Sequence, residues 1–270
     1  MTTYTDAILT CQNASFGYDG HIVAHNLTFS IEKGDYLCIV GENGSGKSTL
    51  IKGMLRLISP LQGSLTINAE PSEPNRGAAR RSARARGGEI GYLSQASAAK
   101  KDFPAGVSEI VFSGMIGRMG LRPFYSRKEK ETAADIMRRL NIEDLRRRCF
   151  RELSGGQQRR VLIARALCAV LSGAGASGGA GRNAERKMLV LDEPAAGLDP
   201  LVTAELYELL QTLNKEIGIA VIMVSHDIES ALKHARHVLH ITPAGYFYGT
   251  QAEYRQSLHY AQLIGGKTDE

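Results

Sequence analysis

Tryptophan is absent, and aromatic residues of every kind make up 6% of the 270-residue chain. Cysteine is scarce too: Cys11, Cys38, Cys149 and Cys168 stand far apart, with no CxxC pair. That scatter excludes a small disulfide-stapled secreted scaffold and reads as buried or incidental thiols in a reducing cytoplasm. Long apolar runs are also missing. The longest are Tyr36–Val40, Val161–Leu171 (broken by Arg165) and Ile217–Val224, far short of the ~18 uninterrupted apolar residues of a transmembrane helix. The opening MTTYTDAILT has no basic stretch leading into an apolar one, so no signal peptide is expected. No internal repeat and no sustained heptad pattern is visible.

What is present suits a globular protein. Hydrophobic residues make up 43% and charged ones 23%, ordinary values for a folded soluble domain. A chain of this length buries about 70–75% of its unfolded surface and needs no staple. The net charge of +5 is unevenly spread: Arg76, Arg80, Arg81, Arg84 and Arg86 form a run without an acid or an aromatic among them. A solvated loop is the expected reading, as for most charge runs, with a nucleic-acid or anionic-lipid patch as the alternative; the lack of interleaved aromatics to stack bases weighs against the latter. The segment SGAGASGGAGRN, residues 172–183, carries five glycines and reads as a flexible surface loop.

Apolar periodicity outlines the fold. Leu27, Phe29 and Ile31 alternate with polar residues as in a half-buried strand, and the turn EKGD follows. YLCIV (36–40), MLVLDEP (188–194) and IAVIMVSH (219–226) are continuous apolar runs, the mark of strands buried on both faces. A helix is expected from Ser48 through Leu55 and Ile58, stopped by Pro60. A strand pair is expected over Gly63–Ile67 and Glu89–Leu93, helices over Val107–Met115, Lys128–Leu140 and Leu201–Glu216, and a helix after Ser154. Strands alternating with helices predict an α/β fold with a parallel sheet, the helical middle being an insertion.

GENGSGKS, Gly41–Ser48, fits the phosphate-binding pattern G-x-x-x-x-G-K-[ST] in full. Gly41, Gly44 and Gly46 let successive N–H groups turn toward phosphate oxygens, and the helix that opens here adds its positive end. Lys47 supplies a point charge for the β and γ phosphates, and the Ser48 hydroxyl suits Mg²⁺. With Gly at average usage such a pattern arises by chance in roughly one chain per hundred of this length; the preceding apolar strand and following helix argue against chance. Asp192 and Glu193 close another apolar strand, where open α/β sheets place ligands. An aspartate there holds Mg²⁺ through water, and an adjacent glutamate polarises the attacking water. LSGGQ (153–157) heads the helix QRRVLIARALC, a second anion-binding helix start with Ser154 as N-cap and Gly155 and Gly156 exposing N–H groups.

In this order the motifs resemble those of the ABC transporter ATPases over roughly Leu9 to Gly249. The resemblance implies a P-loop NTPase of ABC type: a mainly parallel core sheet, an N-terminal antiparallel β subdomain and an inserted helical subdomain. It implies one ATP-binding domain over 8–250, with the helical subdomain at about 96–153, and a tail over 251–270, too short for a regulatory domain. It further implies a head-to-tail homodimer with ATP between the P-loop of one copy (Gly41, Asn43, Gly44, Ser45, Gly46, Lys47, Ser48, Thr49) and Ser154, Gly155, Gly156 and Gln157 of the other. Tyr18 matches the aromatic that stacks on adenine, and Gln95 the glutamine that contacts Mg²⁺ along with Ser48 and Asp192. Asp199 matches the aspartate that communicates across the dimer. The resemblance implies that Lys47, Glu193 and His226 carry hydrolysis. The 71–88 and 172–183 segments look like insertions that interrupt no motif.

Within the family, DFPAGVSEIVFSG (102–114), NIEDL, DEPAAGLDP and FYGTQAEY resemble the zinc/manganese import branch. That implies import of a divalent metal, zinc first and manganese next, through membrane-spanning permease subunits. The ATPase would be peripheral on the cytoplasmic face of the cell membrane, and a separate substrate-binding protein would deliver the cargo. Direct contact with the transported ion and nucleic-acid binding are not expected. The permease contact is expected at residues 96–125, with Phe103, Pro104 and Phe124 as candidates. His226, His234, His237 and His240 invite a zinc reading, but a helix ending near Ala235 and a strand at His237–Ile241 would point the rings apart. A siderophore or haem importer, an exporter, and a soluble ABC ATPase acting on nucleic acid or ribosomes are the alternatives.

Overall fold

The computed structural model describes residues 7–67, 70–71, 90–95, 104–171 and 187–265. The arginines from Arg76 to Arg86, the 172–183 loop and Phe103 lie outside them. The chain divides into two compact units, Met1–Arg80 with Ala220–Glu270, and Arg81–Ile219.

The first unit opens with a hairpin of β1 (Ala7–Tyr18) and β2 (His21–Glu32). Asp19 and Gly20 turn it with φ of 50° and 82°, the mirror-image turn whose twist matches that of paired strands. Leu27, Phe29 and Ile31 are buried, in keeping with their alternation. β3 (Tyr36–Val40) is buried throughout and runs into the phosphate loop and α1 (Lys47–Met54). α1 stops short of the expected Leu55–Ile58 turn. Arg56 adopts φ 57°, Leu57 N–H bonds Lys52 O at 2.8 Å and Arg56 N–H bonds Gly53 O at 2.9 Å. That pair of bonds is the Schellman closure, which satisfies the last helical carbonyls before Pro60 is reached. β4 (Gln62–Ile67) pairs with β1, and β5 (Glu70–Pro71) with β4, giving the antiparallel sheet β2-β1-β4-β5.

In the second unit β6 (Ile90–Leu93) lies parallel to β7 (Met188–Asp192). The two strands expected over 63–67 and 89–93 therefore both form but do not pair. β4 is an antiparallel neighbour of β1, whereas β6 belongs beside the buried β7, where Gly91 admits a helix: a Cβ there would lie 2.4 Å from Ala166 O. The described part of the middle is helical: α2 (Val107–Ser113), α3 (Ile116–Met119) and α4 (Arg127–Arg139). The expected 107–115 helix breaks after Ser113. Ser126 and Glu129 cap α4 reciprocally, and buried Glu129 also takes the Arg122 guanidinium at 2.9 Å. α5 (Gly155–Leu171) packs against α2, α4 and β6, and α6 (Pro200–Ile217) follows β7.

The chain returns to the first unit with β8 (Ala220–Val224) and β9 (His237–Thr242), which flank β3 in parallel, and β10 (Gly245–Thr250), antiparallel to β9. α7 (Ile228–Leu232) joins β8 to β9, ending before Ala235, and α8 (Gln251–Arg255) and α9 (Leu258–Gly265) follow β10. His237 faces buried Asp35 at 2.8 Å, while His240 meets Tyr254 Oη at 3.0 Å, so these two histidines serve different partners. No disulfide links the cysteines; burial pushes the Cys11, Cys38 and Cys168 thiols up to about 12. Among the described residues no helix is long and apolar enough to cross a membrane.

Candidate functional site

The phosphate loop sits where β3 hands over to α1. Gly41, Gly44 and Gly46 take φ of 150°, 83° and 101°, values that L side chains rarely adopt. At Gly41 a Cβ would come within 2.3 Å of Ile241 O and 2.7 Å of Ser45 Oγ. Gly46 starts α1 with no side-chain cap, so the first helical N–H groups are available to an anion. Lys47, 8% exposed, donates from Nζ to Gly41 O and Glu42 O, both at 2.7 Å. Ser45 Oγ is buried and, among the described residues, has no hydrogen-bond partner. An orphaned hydroxyl beside a lysine and a helix start is chemistry that a phosphate oxygen completes. Asn43 and Ser48 are exposed, and Thr49 is buried.

Tyr18 ends β1, 40% exposed, with Lys52 Nζ 5.2 Å from its ring centroid. Hydrogen bonding to Lys52 lowers its phenol's pKa, and the ring remains accessible to a flat base. His226 follows β8 and is exposed. Next to it Asp227 caps α7 by accepting from Ser230 N–H at 3.2 Å.

In the other unit, Asp192 closes β7 and is 7% exposed. Tyr92 on β6 hydrogen-bonds it; burial first, then the Asp192 charge, pushes the phenol upward. Glu193 comes next with φ 50°, an uncommon conformation for a residue with a Cβ. Its Oε2 accepts from Gln95 Nε2 at 2.8 Å, so the strand end that carries Gln95 and the one that carries Glu193 converge. Ser154 caps α5 as expected: Oγ accepts from Gln157 N–H at 3.3 Å, and Gln157 Oε1 accepts from Ser154 N–H at 3.1 Å, a reciprocal capping box. Gly156 lies against α6, where a Cβ would be 2.7 Å from Val202 Cγ1. Asp199 caps α6 by accepting from Val202 N–H at 3.0 Å, with Pro200 at the first helical position.

Two participants escape a reading of motifs alone. Arg159, buried on α5, donates to Ala196 O at 3.3 Å; its signal is a charge on the helix face that continues as Ile163 and Ala166. Tyr92 has no local signal, because its link to Asp192 depends on β6 lying beside β7. On the helical middle, Ile116, Leu121 and Phe124 are 58%, 104% and 79% exposed, and Pro104 is exposed too.

Residues 24–170 match the ABC transporter family. The chain is 33% identical to the zinc uptake system ATP-binding protein ZurA of Listeria innocua over 252 residues, 93% of this chain and 89% of that protein. It is 31% identical to the phosphonates import ATP-binding protein PhnC of Staphylococcus aureus over 228 residues, 82% of this chain and 80% of that protein. Its fold is similar to that of cbiO1 from Clostridium perfringens, part of the ABC transporter complex cbiONQ, with a TM-score of 0.75, 26% identity, and 96% of this chain and 94% of that chain covered. A P-loop α/β core, a capped signature helix and matches running along most of the sequence lead to one conclusion: this chain belongs to the ABC transporter family, as an ATP-binding, ATP-hydrolysing subunit of a transporter.

Proposed function

We propose that this ATPase energises import of a divalent metal ion, zinc first and manganese next, through partner permease subunits. The observation that carries the reading is the similarity to ZurA over 93% of the chain, joined by the branch-like strings at 102–114, 141–145, 192–200 and 247–254. The similarity to PhnC, over a smaller share of the chain, makes phosphonate the cargo class to test against it. The 8–250 region is the ATP-binding domain, with the 251–270 tail outside it.

In the proposed cycle two copies close head to tail. The glycine loop and Lys47 hold the β and γ phosphates of one ATP, Tyr18 stacks on its base, and the α5 start of the other copy, Ser154 to Gln157, faces the γ-phosphate. Ser48, Gln95 and Asp192 are oxygen donors suited to Mg²⁺, which when bound neutralises charge on the phosphates. Glu193 orients and polarises the attacking water, and His226 contacts the γ-phosphate. Asp199 carries the closure signal between copies, and loss of phosphate reopens the dimer. The exposed Ile116, Leu121 and Phe124 suit a peripheral docking site on a permease at the cytoplasmic membrane face, with a separate binding protein delivering the ion.

The test is total zinc, manganese and iron, by mass spectrometry, in source cells lacking the gene, complemented with wild type or Glu193→Gln under metal limitation. A fall in zinc or manganese that only the wild type restores supports the reading. Unchanged metals with lost phosphonate use would replace it.

A further inference from the structure

Arg159 is an expensive residue where it stands. It is 8% exposed on α5, and among the described residues its guanidinium makes one hydrogen bond, to Ala196 O at 3.3 Å. Burial pulls its pKa down, and the charge that opposes this pull is Glu193. A buried cation with so little hydrogen bonding costs stability unless an anion compensates it, and an apolar residue of similar volume packs there at less cost. The neighbouring Arg160 needs no such account, because it is paired with Glu205 at 2.8 Å across the α5–α6 surface.

The surroundings of Arg159 give its charge a use. Ala196 N–H bonds Glu193 O at 3.2 Å, and Ala196 O takes Arg159, so one turn of backbone is held at both ends. Glu193 enters that turn at φ 50°, a strained entry that persists only where its surroundings fix it. The Glu193 carboxylate is gripped by Gln95, just beyond β6, at 2.8 Å and attracted from α5 by Arg159. Arg159 also sits one helical turn beyond Gly155, the first residue of α5.

We propose that Arg159 is a positioning residue for Glu193: through Ala196 O and its own charge, it fixes the turn that presents the Glu193 carboxylate from the signature helix of the same chain. This rests on Glu193 being the group that activates water. The helix end that faces nucleotide in one site of the proposed dimer then orients the carboxylate belonging to the other site.

The experiment compares wild type, Arg159→Met, Arg159→Lys, Glu193→Gln and the Arg159→Met/Glu193→Gln double variant, as full chains, by steady-state ATPase kinetics and thermal unfolding. Arg159→Met is expected to lower kcat about tenfold with KM within about twofold, the pattern of a lost transition-state contribution. Its unfolding temperature should hold or rise, since a buried charge has been removed. Arg159→Lys should recover most of the rate. In the Glu193→Gln background the Met substitution should subtract nothing further, as expected when one residue acts through the other. Wild-type kcat in Arg159→Met, or an undiminished further loss in the double variant, overturns the proposal. Near-normal hydrolysis by Glu193→Gln alone instead removes Glu193 from its role, a different failure. If Arg159→Met does not fold, Arg159→Lys decides: a kcat as low as that of Glu193→Gln contradicts the charge-based role.

Discussion

Gln95 Nε2 donates to Glu193 Oε2 at 2.8 Å, joining the residue just beyond β6 to the one just beyond β7. The parallel register of these strands, Leu93 opposite Leu191, brings both side chains to the same sheet end, where open α/β folds build their sites. Glu193→Gln keeps the size and the acceptor for Gln95 but removes the carboxylate that the proposed cycle uses as the base. It should cut ATP turnover at least about 100-fold while leaving ATP affinity within about twofold. Phosphate release and fluorescent-nucleotide binding measured on the same preparation check this.

Ser45 offers a cleaner probe of the phosphate loop than Lys47, which already holds two carbonyls. Its hydroxyl is buried without a partner among the described residues, so removing it relieves a cost. Ser45→Ala should therefore unfold at the same temperature as wild type or slightly higher without nucleotide, yet bind ATP about tenfold more weakly, the loss of one charge-assisted hydrogen bond. Calorimetric titration and a thermal scan together distinguish this from a general loss of stability.

Ser154 has one duty in the structure and a second in the proposed cycle. As the α5 cap, accepting from Gln157 N–H, its replacement by alanine should cost about 1 kcal/mol. Aspartate caps equally well, so Ser154→Asp should unfold like wild type. Its negative charge, however, opposes a phosphate, and hydrolysis should fall at least about tenfold. Denaturant unfolding and ATPase rates on the two variants give the comparison.

His240 makes folding sensitive to acid. It is 4% exposed on β9, and burial first, then the nearby His259 and Lys47, lowers its pKa to about 4. The unfolded chain binds this proton at about pH 6.5. The folded state therefore resists protonation, so stability from this residue is complete above the unfolded value and is lost as pH falls from about 6.5 toward 4, by at most about 3 kcal/mol. His240→Asn, which retains an acceptor for Tyr254, should flatten the unfolding free energy over that window, measured by urea titration at half-unit pH steps.

The parts legible in the sequence are those written in contiguous residues. The phosphate loop, the Asp192–Glu193 strand end and the Ser154 cap each combine a local motif with a local element, and the structure builds each on the element expected. β3, β7 and β8 were plain as unbroken apolar runs because both faces of each strand are covered. Features that depend on distant pairing were not. β4 and β6 form as strands, but their partners, β1 and β7, are set by register over many residues. The early end of α1 turns on Arg56 adopting a left-handed conformation that favours glycine or asparagine, so nothing in its residue type marks it. Arg159 went unmarked in the sequence, where it is one charge in a helix with others beside it, and Glu193 as its counter-charge emerges only once α5 packs beside β7.

The composite ATP site is tested most directly by mixing two crippled chains. Lys47→Ala loses the phosphate grip and Ser154→Asp spoils the signature end, so each variant alone should hydrolyse ATP at no more than about a tenth of the wild-type rate. If ATP lies between the loop of one copy and the signature of the other, random pairing makes half the dimers mixed, and each mixed dimer regains one intact site of two. ATPase activity in an equal mixture should then return to about one quarter of wild type at the same total protein. A mixture as inactive as its components would contradict the head-to-tail site, leaving each chain to hydrolyse ATP alone or to pair in another way.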